Sequence, residues 1–472
     1  MSGRAEGRLA VVLHSHMPYV EGFGTWPFGE EWLFEAAATS YLPLLDLLDA
    51  GAPVTLSVTP VLGDQLAAPG VHERLLAFLR ELRVTTHELD AAGCRETGRE
   101  DLAVEVERAA GDYRWAAARL EELGDGGLGA ALHRHAAWTS GATHAVLPLV
   151  ATDAGVRLQL RTGIAAHRAR VEAAGGPAWA GGLWLPECAH APWLDALLEQ
   201  AGVHATCVDL TDVFGLGAEE HLRPVRTQDG PLLVPIDRLV LELPWSDGGY
   251  PAGAAYRDSH NRTVHHHKPW ANDGAVYDPD RALEQARADA RDFVARVRER
   301  VRAGGLSVCA LDTELLGDWW YEGVHWLRFV LEEAACTGLE VVRLDDALAD
   351  PALETAGPDA APARPTTWGQ PRDLSTWSGP QVADLAFDLR DAELRVLAAG
   401  ADADERAVRE LLALQSSDWA FQVTRDTAGP YPRERAAGHR RALDAALAAP
   451  GGCDPRVRGL APWVEPGWLL EP

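Results

Sequence analysis

The sequence of 472 residues has no apolar stretch that approaches the length of a membrane span, and its first hydrophobic run covers only residues 9–13. We expect that run to be a first strand and not a signal peptide. The six cysteines are scattered without Cys-x-x-Cys spacing, so neither a zinc ribbon nor a disulfide scaffold is predicted. A reducing, cytoplasmic location is the expectation. No internal repeat recurs at a fixed period.

Positive charge is also scarce. The chain has 43 Lys and Arg against 70 Asp and Glu, which gives a formal net charge of -27. A polyanion is repelled by such a surface, so nucleic acids and anionic membranes are not expected partners. A neutral substrate fits this charge better. With 47% hydrophobic residues the chain can bury a large core, and its length predicts one large α/β domain with a smaller one.

Short apolar runs alternate with longer stretches of helical period. This pattern predicts βα units that close into a parallel barrel. The runs expected to be strands are residues 9–13, 54–58, 182–185, 206–209, 238–241, 306–311 and 339–344. The stretches expected to be helices include residues 31–49, 280–301, 324–335, 391–399, 403–414 and 433–448.

The chain divides into three parts by composition. Residues 1–350 are expected to form the catalytic barrel, with residues 66–134 as a helical insertion because they are almost wholly helical in pattern. Residues 351–365 are rich in Pro and Ala without an apolar period, which indicates a linker. Residues 366–472 are expected to form a C-terminal helical domain.

Two carboxylates stand at the ends of predicted strands, beside tryptophan. Glu187 follows the apolar run at 183–186, and Asp312 follows the run at 306–311. Cleaving a glycosidic bond needs one carboxylate as nucleophile or base and another as proton donor, next to a wall on which a sugar can stack. In parallel barrels the reactive groups come from the C-terminal ends of strands. The sequence, with 17 Trp in all, therefore predicts a glycosidic-bond site.

Other interpretations remain open for single residues. Glu187 taken alone fits a helix cap, and Glu314 is a rival to Asp312 as the acid because it lies two residues away. His14 and His16 project to one side of an extended segment, as a His-x-His metal pair would. A metal-dependent barrel hydrolase is therefore a distant alternative, although the later strand ends offer no adjacent histidine. A barrel that binds a sugar polymer without cleaving it is a third hypothesis, but such a protein would lack one of the carboxylates.

Six motifs, taken in order, resemble the characteristic regions of glycoside hydrolase family 57, and they are most similar to its 1,4-α-glucan branching enzymes. The resemblance covers residues 9 to about 445. The motifs are HSHMPYV at 14–20, WPFGE at 26–30, TSGATHAVLPL at 139–149, WLPEC at 184–188, DTELLGDWW at 312–320 and SSDWAF at 416–421.

The resemblance implies a (β/α)7 barrel with a helical insertion and a C-terminal helical domain that completes the cleft. It also implies a retaining mechanism on α-1,4-glucan without a metal or cofactor, with Glu187 as nucleophile and Asp312 as acid/base. By motif position Trp368 and Trp377 would wall the glucan groove, Asp418 would bind substrate, and Arg257 would contact it. The other residues expected at the substrate site are His14, His16, Trp26, His144, Trp270 and Trp320.

Physical expectations follow for this site. The two carboxyls of a retaining enzyme lie about 5–5.5 Å apart. Trp319 and Trp320 would disfavour the ionised form of Asp312, and a histidine would donate a hydrogen bond to Glu187. Transfer to a glucan 6-hydroxyl needs a walled, dry acceptor site. The segment 211–226 is short and lacks the Tyr of the family's long loop, and Asp318 stands where His is usual. The alternative is therefore an α-1,4-glucan hydrolase or 4-α-glucanotransferase on the same scaffold.

Overall fold

The computed structural model describes residues 7–24, 28–451 and 459–471. Its strands are mostly parallel and mostly buried. They are β1 (Arg8–Ser15), β2 (Val54–Val58), β3 (Ala136–Ser140), β4 (Leu183–Trp184), β5 (Ala205–Val208), β6 (Val225–Arg226), β7 (Leu232–Pro235), β8 (Leu306–Asp312) and β9 (Glu340–Val342).

Seven of these strands form a ring. The parallel order is β4-β3-β2-β1-β8, and a bridge between Gly182 and Ala205 continues it from β4 to β5, which pairs in parallel with β7. The ring closes where the Asp237 N–H, after β7, donates to the Val308 carbonyl of β8 at 2.9 Å. Strand β9 pairs with the first residues of β1, and β6 is antiparallel to β7. The predicted (β/α)7 barrel is confirmed.

Helices cover this ring and fill the insertion. The helices up to β3 are α1 (Glu30–Ala36), α2 (Leu42–Asp49), α3 (Pro60–Leu66), α4 (Val71–Ala77), α5 (Arg83–Glu96), α6 (Glu100–Glu122) and α7 (Gly127–His133), with π-helical turns at Ala37–Tyr41 and Phe78–Leu82. The later barrel helices are α8 (Asp153–Ala174), α9 (Asp195–Gln200), α10 (Thr211–Phe214), α11 (Arg238–Trp245), α12 (Pro279–Arg300), α13 (Gly323–Thr337) and α14 (Leu344–Ala349). The C-terminal helices are α15 (Ser375–Ser378), α16 (Ala383–Ala399), α17 (Glu405–Leu414), α18 (Ser417–Arg425) and α19 (Tyr431–Ala448). No helix in the described ranges is long and apolar enough to cross a membrane.

One predicted strand is wrong. Residues 238–241 begin helix α11, and the barrel strand at this point is β7, at Leu232–Pro235. In α11 the side chains of Val240 and Leu241 are buried while Leu239 is exposed, so only one face of the segment packs inward. A run of four residues is too short for its period to separate a strand from one turn of helix.

The C-terminal helices pack directly on the barrel. Their apolar cluster, which includes Leu411, Trp419 and Leu443, also contains Tyr19 and Leu158 from the barrel half of the chain. Burial of this shared cluster fixes the position of α18 on the barrel. The first turn of α18 reaches the carboxyl ends of the strands. The linker and domain boundaries expected from composition stay predictions.

The segment before the C-terminal helices runs along the barrel. The Ala356 carbonyl accepts a hydrogen bond from the Arg226 N–H at 3.0 Å. Further on, Thr366 and His190 exchange two backbone hydrogen bonds of 3.0 and 2.9 Å. These contacts bring the residues that follow Thr366 to the end of β4.

Candidate active site

Glu187 lies in a tight turn just beyond strand β4. The turn spans Pro186–Cys188, and Glu187 has φ 61° and ψ 23°, a left-handed conformation that is uncommon for a residue with a side chain. The Glu187 carbonyl accepts hydrogen bonds from the Trp368 N–H at 3.2 Å and the Thr367 hydroxyl at 2.7 Å. The C-terminal half of the chain therefore holds this turn in its strained conformation.

The Glu187 carboxyl has two donors from the same half of the molecule. The Trp368 Nε1–H donates to Oε2 at 3.1 Å, and the Ser417 hydroxyl lies 3.3 Å from Oε1. Burial raises the pKa of Glu187 to about 7, and the nearby Asp418 adds to that rise. The Trp368 hydrogen bond, the charge of His16 and the Ser417 hydroxyl oppose it. The donors keep the ionised form of Glu187 accessible near neutral pH.

Asp312 is the last residue of β8 and is in register with His14 of β1. Within the described ranges no side chain or backbone group donates a hydrogen bond to its carboxyl. Burial raises the pKa of Asp312 well above its usual range, and the neighbouring charges of Glu314, Glu187 and Asp418 add to the rise. These surroundings favour the carboxylic acid form of Asp312, and the group lies close enough to Glu187 for the two charges to interact.

Glu314, the alternative to Asp312 as the acid, already accepts hydrogen bonds from protein groups. Its Oε1 accepts hydrogen bonds from the His16 backbone N–H at 3.1 Å and from the Tyr41 hydroxyl. Burial raises the pKa of Glu314 to about 7, and the Tyr41 hydrogen bond opposes the rise. This carboxylate supports the end of β1, and its lone pairs are less free for a substrate than those of Asp312.

Three histidines stack beside Glu187. The His14 ring lies 4.7 Å from the Trp184 ring and 5.1 Å from the His144 ring, and His16 stacks on His144 at 4.0 Å. Burial lowers the pKa of both His14 and His144 well below the usual value, and neighbouring imidazoles lower it further. Both rings are therefore neutral.

His16 is the exception because it faces Asp418. Its Nε2 lies 3.0 and 3.1 Å from the two oxygens of that carboxylate. Burial disfavours the charged form of His16, but the Asp418 carboxylate outweighs it and the pKa of His16 is raised. Burial likewise favours the neutral form of Asp418, but the charge of His16 outweighs it and its pKa is lowered. The pair joins the first barrel strand to helix α18.

The expected histidine donor to Glu187 is not found at hydrogen-bond distance. His144 Nδ1 lies 3.9 Å from Glu187 Oε1, and the direct donors are Trp368 and Ser417. Sequence reasoning did not single out Ser417 for this role. The available signal was its position beside Asp418 in the motif at 416–421.

Trp368 is fixed by a buried ion pair. Arg238 donates from Nη2 to the Trp368 carbonyl at 2.9 Å, and it binds Asp209 at 2.6 and 2.8 Å. The Trp368 ring packs against Trp184 at 5.1 Å and Trp245 at 5.4 Å. The Trp245 side chain is 38% exposed, so it extends the aromatic surface outward from Glu187. Sequence reasoning missed Arg238, Asp209 and Trp245.

Two of the predicted tryptophans lie in the core. Trp320 is 1% exposed and packs between Tyr256 at 5.3 Å and Trp326 at 5.2 Å, whereas its neighbour Trp319 is 58% exposed. Trp377 is 3% exposed. A bulky ring was expected at the cleft in both places, but their apolar surroundings make these side chains part of the packed interior.

Arg257 is also in structural contacts. Its Nη2 donates to Glu105 of α6 at 2.9 Å, and its guanidinium is 4.0 Å from the Tyr277 ring and 4.1 Å from the Tyr321 ring. This arrangement anchors the helical insertion to the barrel and buries the guanidinium among protein groups. Trp270 is half-buried and bridges to Val276. Trp26 lies outside the described residues.

The described residues offer no set of metal ligands for the alternative of a metal-dependent hydrolase. Across the parts of the chain that the structure describes, no group of three or more His, Cys, Asp or Glu side chains is arranged to hold a metal ion. His14 has His144 and Ser57 as partners, and His16 has Asp418 and Thr59. The described cysteines are free thiols.

Comparisons with known proteins identify the family. The family profile "Glycosyl hydrolase family 57" matches residues 137–350, and the profile "1,4-alpha-glucan branching enzyme, C-terminal" matches residues 390–454. A probable 1,4-α-glucan branching enzyme of Mycobacterium tuberculosis is 34% identical, with 94% of this chain and 93% of the relative covered. The 1,4-α-glucan branching enzyme of Thermococcus kodakarensis is 30% identical, with 92% and 72% covered.

Solved structures extend the similarity to the whole fold. A branching enzyme of this family from Pyrococcus horikoshii superposes with a TM-score of 0.87 at 27% identity, with 98% of this chain and 96% of the other covered. The α-amylase AmyC of Thermotoga maritima, at 22% identity, shares the fold with a TM-score of 0.75 and covers 99% and 98%. The chain therefore belongs to glycoside hydrolase family 57, as its six motifs predicted.

Proposed function

We propose that this protein is a retaining 1,4-α-glucan branching enzyme, which cuts an α-1,4 bond and rejoins the chain through an α-1,6 bond. Its relatives at 30 to 34% identity carry that name over most of the chain. The observation that carries the proposal is at Glu187, where a carboxylate at the end of a barrel strand is held by Trp368 and Ser417 of the C-terminal region. Catalysis then depends on both parts of the molecule.

The first half-reaction assigns a role to each carboxyl. Glu187 attacks the anomeric carbon while Asp312 gives its proton to the departing glycosidic oxygen, so the C–O bond breaks and a covalent glycosyl-enzyme forms. Asp312 suits the acid role because burial and three neighbouring carboxylates raise its pKa. Glu187 suits the nucleophile role because hydrogen-bond donors to its carboxyl oppose the rise of its own pKa. We expect their carboxyl carbons to lie at the retaining separation of about 5–5.5 Å.

The second half-reaction decides between transfer and hydrolysis. Asp312, now ionised, takes the proton of the incoming hydroxyl as that oxygen attacks the anomeric carbon and Glu187 leaves. A glucan 6-hydroxyl gives a branch, and water gives a new reducing end. Trp368 and Trp245 provide aromatic surface on which a sugar can stack and from which water is excluded.

His16 and Asp418 are the proposed polar contacts of the glucan beside Glu187. His144 is left out because both of its ring nitrogens already bind protein partners, His14 and Ser417. The proposed substrate is a glycogen-type α-glucan, with no metal or cofactor required. A cytoplasmic location stays a prediction from the cysteine pattern. Trp320, Trp377 and Arg257 are left out of the proposed substrate contacts because each is buried in protein contacts.

The test is to incubate the purified protein with amylose and to count new α-1,6 linkages against new reducing ends. A branching enzyme forms α-1,6 linkages with few new reducing ends. Reducing ends without branches would replace the proposal with the hydrolase alternative. Redistributed α-1,4 chain lengths without branches would indicate a 4-α-glucanotransferase.

A further inference from the structure

A continuous hydrogen-bonded chain leads from strand β2 to Glu187. It runs from Ser57 through His14 and His144 to Ser417. The four contacts are Ser57 Oγ to His14 Nδ1 at 3.2 Å, His14 Nε2 to His144 Nε2 at 3.0 Å, His144 Nδ1 to Ser417 Oγ at 2.8 Å, and Ser417 Oγ to Glu187 Oε1 at 3.3 Å. The first four residues are all buried, so water does not compete for these contacts.

The number of protons on this chain is restricted. A neutral imidazole carries one N–H and presents its other nitrogen as an acceptor. His14 and His144 are both neutral, because burial and neighbouring imidazoles lower their pKa values, and His16 stacked on His144 contributes to that effect. Their Nε2 atoms face each other, so a single proton lies between the rings. The tautomer of one ring therefore dictates the tautomer of the other.

The chain then has two self-consistent directions. In the forward direction Ser57 donates to His14, His14 donates from Nε2 to His144, His144 donates from Nδ1 to Ser417, and Ser417 donates to Glu187. In the reverse direction Ser417 donates to His144, His144 donates from Nε2 to His14, and His14 donates from Nδ1 to Ser57. The Ser57 hydroxyl then turns to the Thr139 carbonyl, 3.4 Å away.

The single hydroxyl proton of Ser417 forces this choice. It has two acceptors, His144 Nδ1 and Glu187 Oε1, and it serves one at a time. A hydrogen bond to an ionised carboxylate is roughly twice as strong as one between neutral groups. An ionised Glu187 therefore selects the forward direction. A neutral group at that position loses the advantage, and the imidazole nitrogen becomes the better acceptor.

We propose that the charge on Glu187 sets the tautomers of His14 and His144, so that this chain donates to the nucleophile when it is ionised and reverses when it is glycosylated. This inference rests on the proposed role of Glu187 as nucleophile. Both directions hold the same number of protons, so their interchange gains or loses none. Ser417, His144, His14 and Ser57 are positioning residues in this scheme, and the donated hydrogen bond returns as the carboxylate leaves the sugar.

The tautomers are measured by NMR of protein with ¹⁵N-labelled imidazoles, assigned with single histidine substitutions. In the wild type, above the Glu187 pKa of about 7, we expect protons on His14 Nε2 and His144 Nδ1. In Glu187→Gln the amide oxygen faces the Trp368 Nε1–H, so the amide NH₂ faces Ser417 and donates to it. Both histidine tautomers are then reversed. Unchanged tautomers, or a change at one ring alone, would overturn the proposal.

Two further variants separate this coupling from a general disturbance of the site. In a Ser417→Ala background the Glu187→Gln change no longer reverses the tautomers, because the link is cut. In the matched Ser416→Ala background it still does, because Ser416 bonds to Asp418 and not to the chain. Reversal that survives Ser417→Ala would reject the proposed path. The NMR readout needs no glucan turnover, so its failure is distinguishable from failure of the branching assay.

Discussion

The two carboxylates at the ends of β4 and β8 have opposite surroundings. Glu187 receives hydrogen bonds from Trp368 and Ser417, whereas no group in the described ranges donates to the Asp312 carboxyl, which lies among other carboxylates instead. Donors favour the charged form of an acid, and neighbouring negative charge favours the neutral form. Burial raises the pKa of both groups; the donors oppose the rise for Glu187, whose pKa is about 7, whereas the neighbouring carboxylates add to it for Asp312, whose pKa is raised well above the usual range.

The difference between the two carboxylates originates outside the barrel. The barrel supplies both carboxylates at equivalent places, at strand ends. The donors that distinguish Glu187 come from beyond residue 365, on the segment and helix that pack over the barrel. The C-terminal region thus sets the hydrogen bonding of the carboxyl that we propose as the nucleophile.

The largest expected effect is the loss of either carboxylate. We expect Asp312→Asn to lower kcat on glucan by about 10²–10⁴-fold, the usual contribution of a general acid. Glu187→Gln removes the nucleophile and should leave no measurable turnover. Glucan binding should persist in both variants, because the aromatic surface is unchanged. Branch formation from amylose and equilibrium binding measure the two effects.

A substrate with an activated leaving group sharpens the assignment. An aryl glucoside needs little protonation when its bond breaks, so Asp312→Asn should still release the aryl group while Glu187→Gln should not. Glu314→Gln is the matched control and should retain most of the activity. Suppose instead that Glu314→Gln lost activity on glucan but still released the aryl group. Glu314, and not Asp312, would then be the acid.

The next effect concerns the ion pair that holds Trp368. Arg238 and Asp209 are both buried, and Arg238 also binds the Trp368 carbonyl. We expect Asp209→Asn to lower the free energy of unfolding by about 3–5 kcal/mol, because it removes the buried counter-charge of a buried guanidinium. The remaining carboxylate neighbour of Arg238 is Glu242, which is 3.7 Å away and 41% exposed. Denaturant titration measures this loss, and activity should fall with it because the Trp368 donor is no longer fixed.

A second ion pair, close in sequence to Asp209 but more exposed, provides the control. Asp212 and Arg372 are also paired between the start of α10 and the segment after Trp368, but their side chains are 40% and 25% exposed. Asp212→Asn should cost less than about 1 kcal/mol, because water screens the pair and replaces the lost partner. Equal costs for the two substitutions would show that burial is not what makes the Asp209 pair important.

The sequence predicted the barrel and its two carboxylates for a local reason. An apolar run followed at once by an acidic residue predicts both a strand and the position where that strand ends. Glu187 and Asp312 could therefore be identified from a few consecutive residues each. The burial of Trp320 could not be predicted in this way, because it depends on Tyr256 and Trp326 arriving from other parts of the chain. Tryptophan has the same sequence signal in a core and on a cleft wall.

Residues that act through distant partners were the hardest to predict. Ser417 is 230 positions from Glu187, and Arg238 is 130 positions from Trp368. Neither has a sequence signature of its own, since a serine at the start of a helix and an arginine beside an apolar run are common. The helix at Arg238–Trp245 was predicted as a strand for a similar reason, because four residues carry too little periodicity.

The smallest expected effect is a shift of the pH profile of kcat/KM. Trp368→Phe keeps an aromatic ring beside Trp184 but removes the Nε1–H that lowers the pKa of Glu187. The pKa of Glu187 should then rise, so the ionised nucleophile is lost at a higher pH as the solution is acidified. We expect the acidic limb of the kcat/KM profile to move to higher pH by about one pH unit, from a charged hydrogen bond of about 1.5 kcal/mol.

The alkaline limb is the internal control for that displacement. It reports the loss of the Asp312 proton as pH rises, and Trp368 makes no hydrogen bond to Asp312, so this limb should stay in place. Trp245→Phe is the matched substitution, because its ring packs on Trp368 without a hydrogen bond to Glu187. It should leave both limbs unchanged. Movement of the alkaline limb in Trp368→Phe would mean that the two carboxyls titrate as one coupled pair and that their environments are not as separate as their hydrogen bonds indicate.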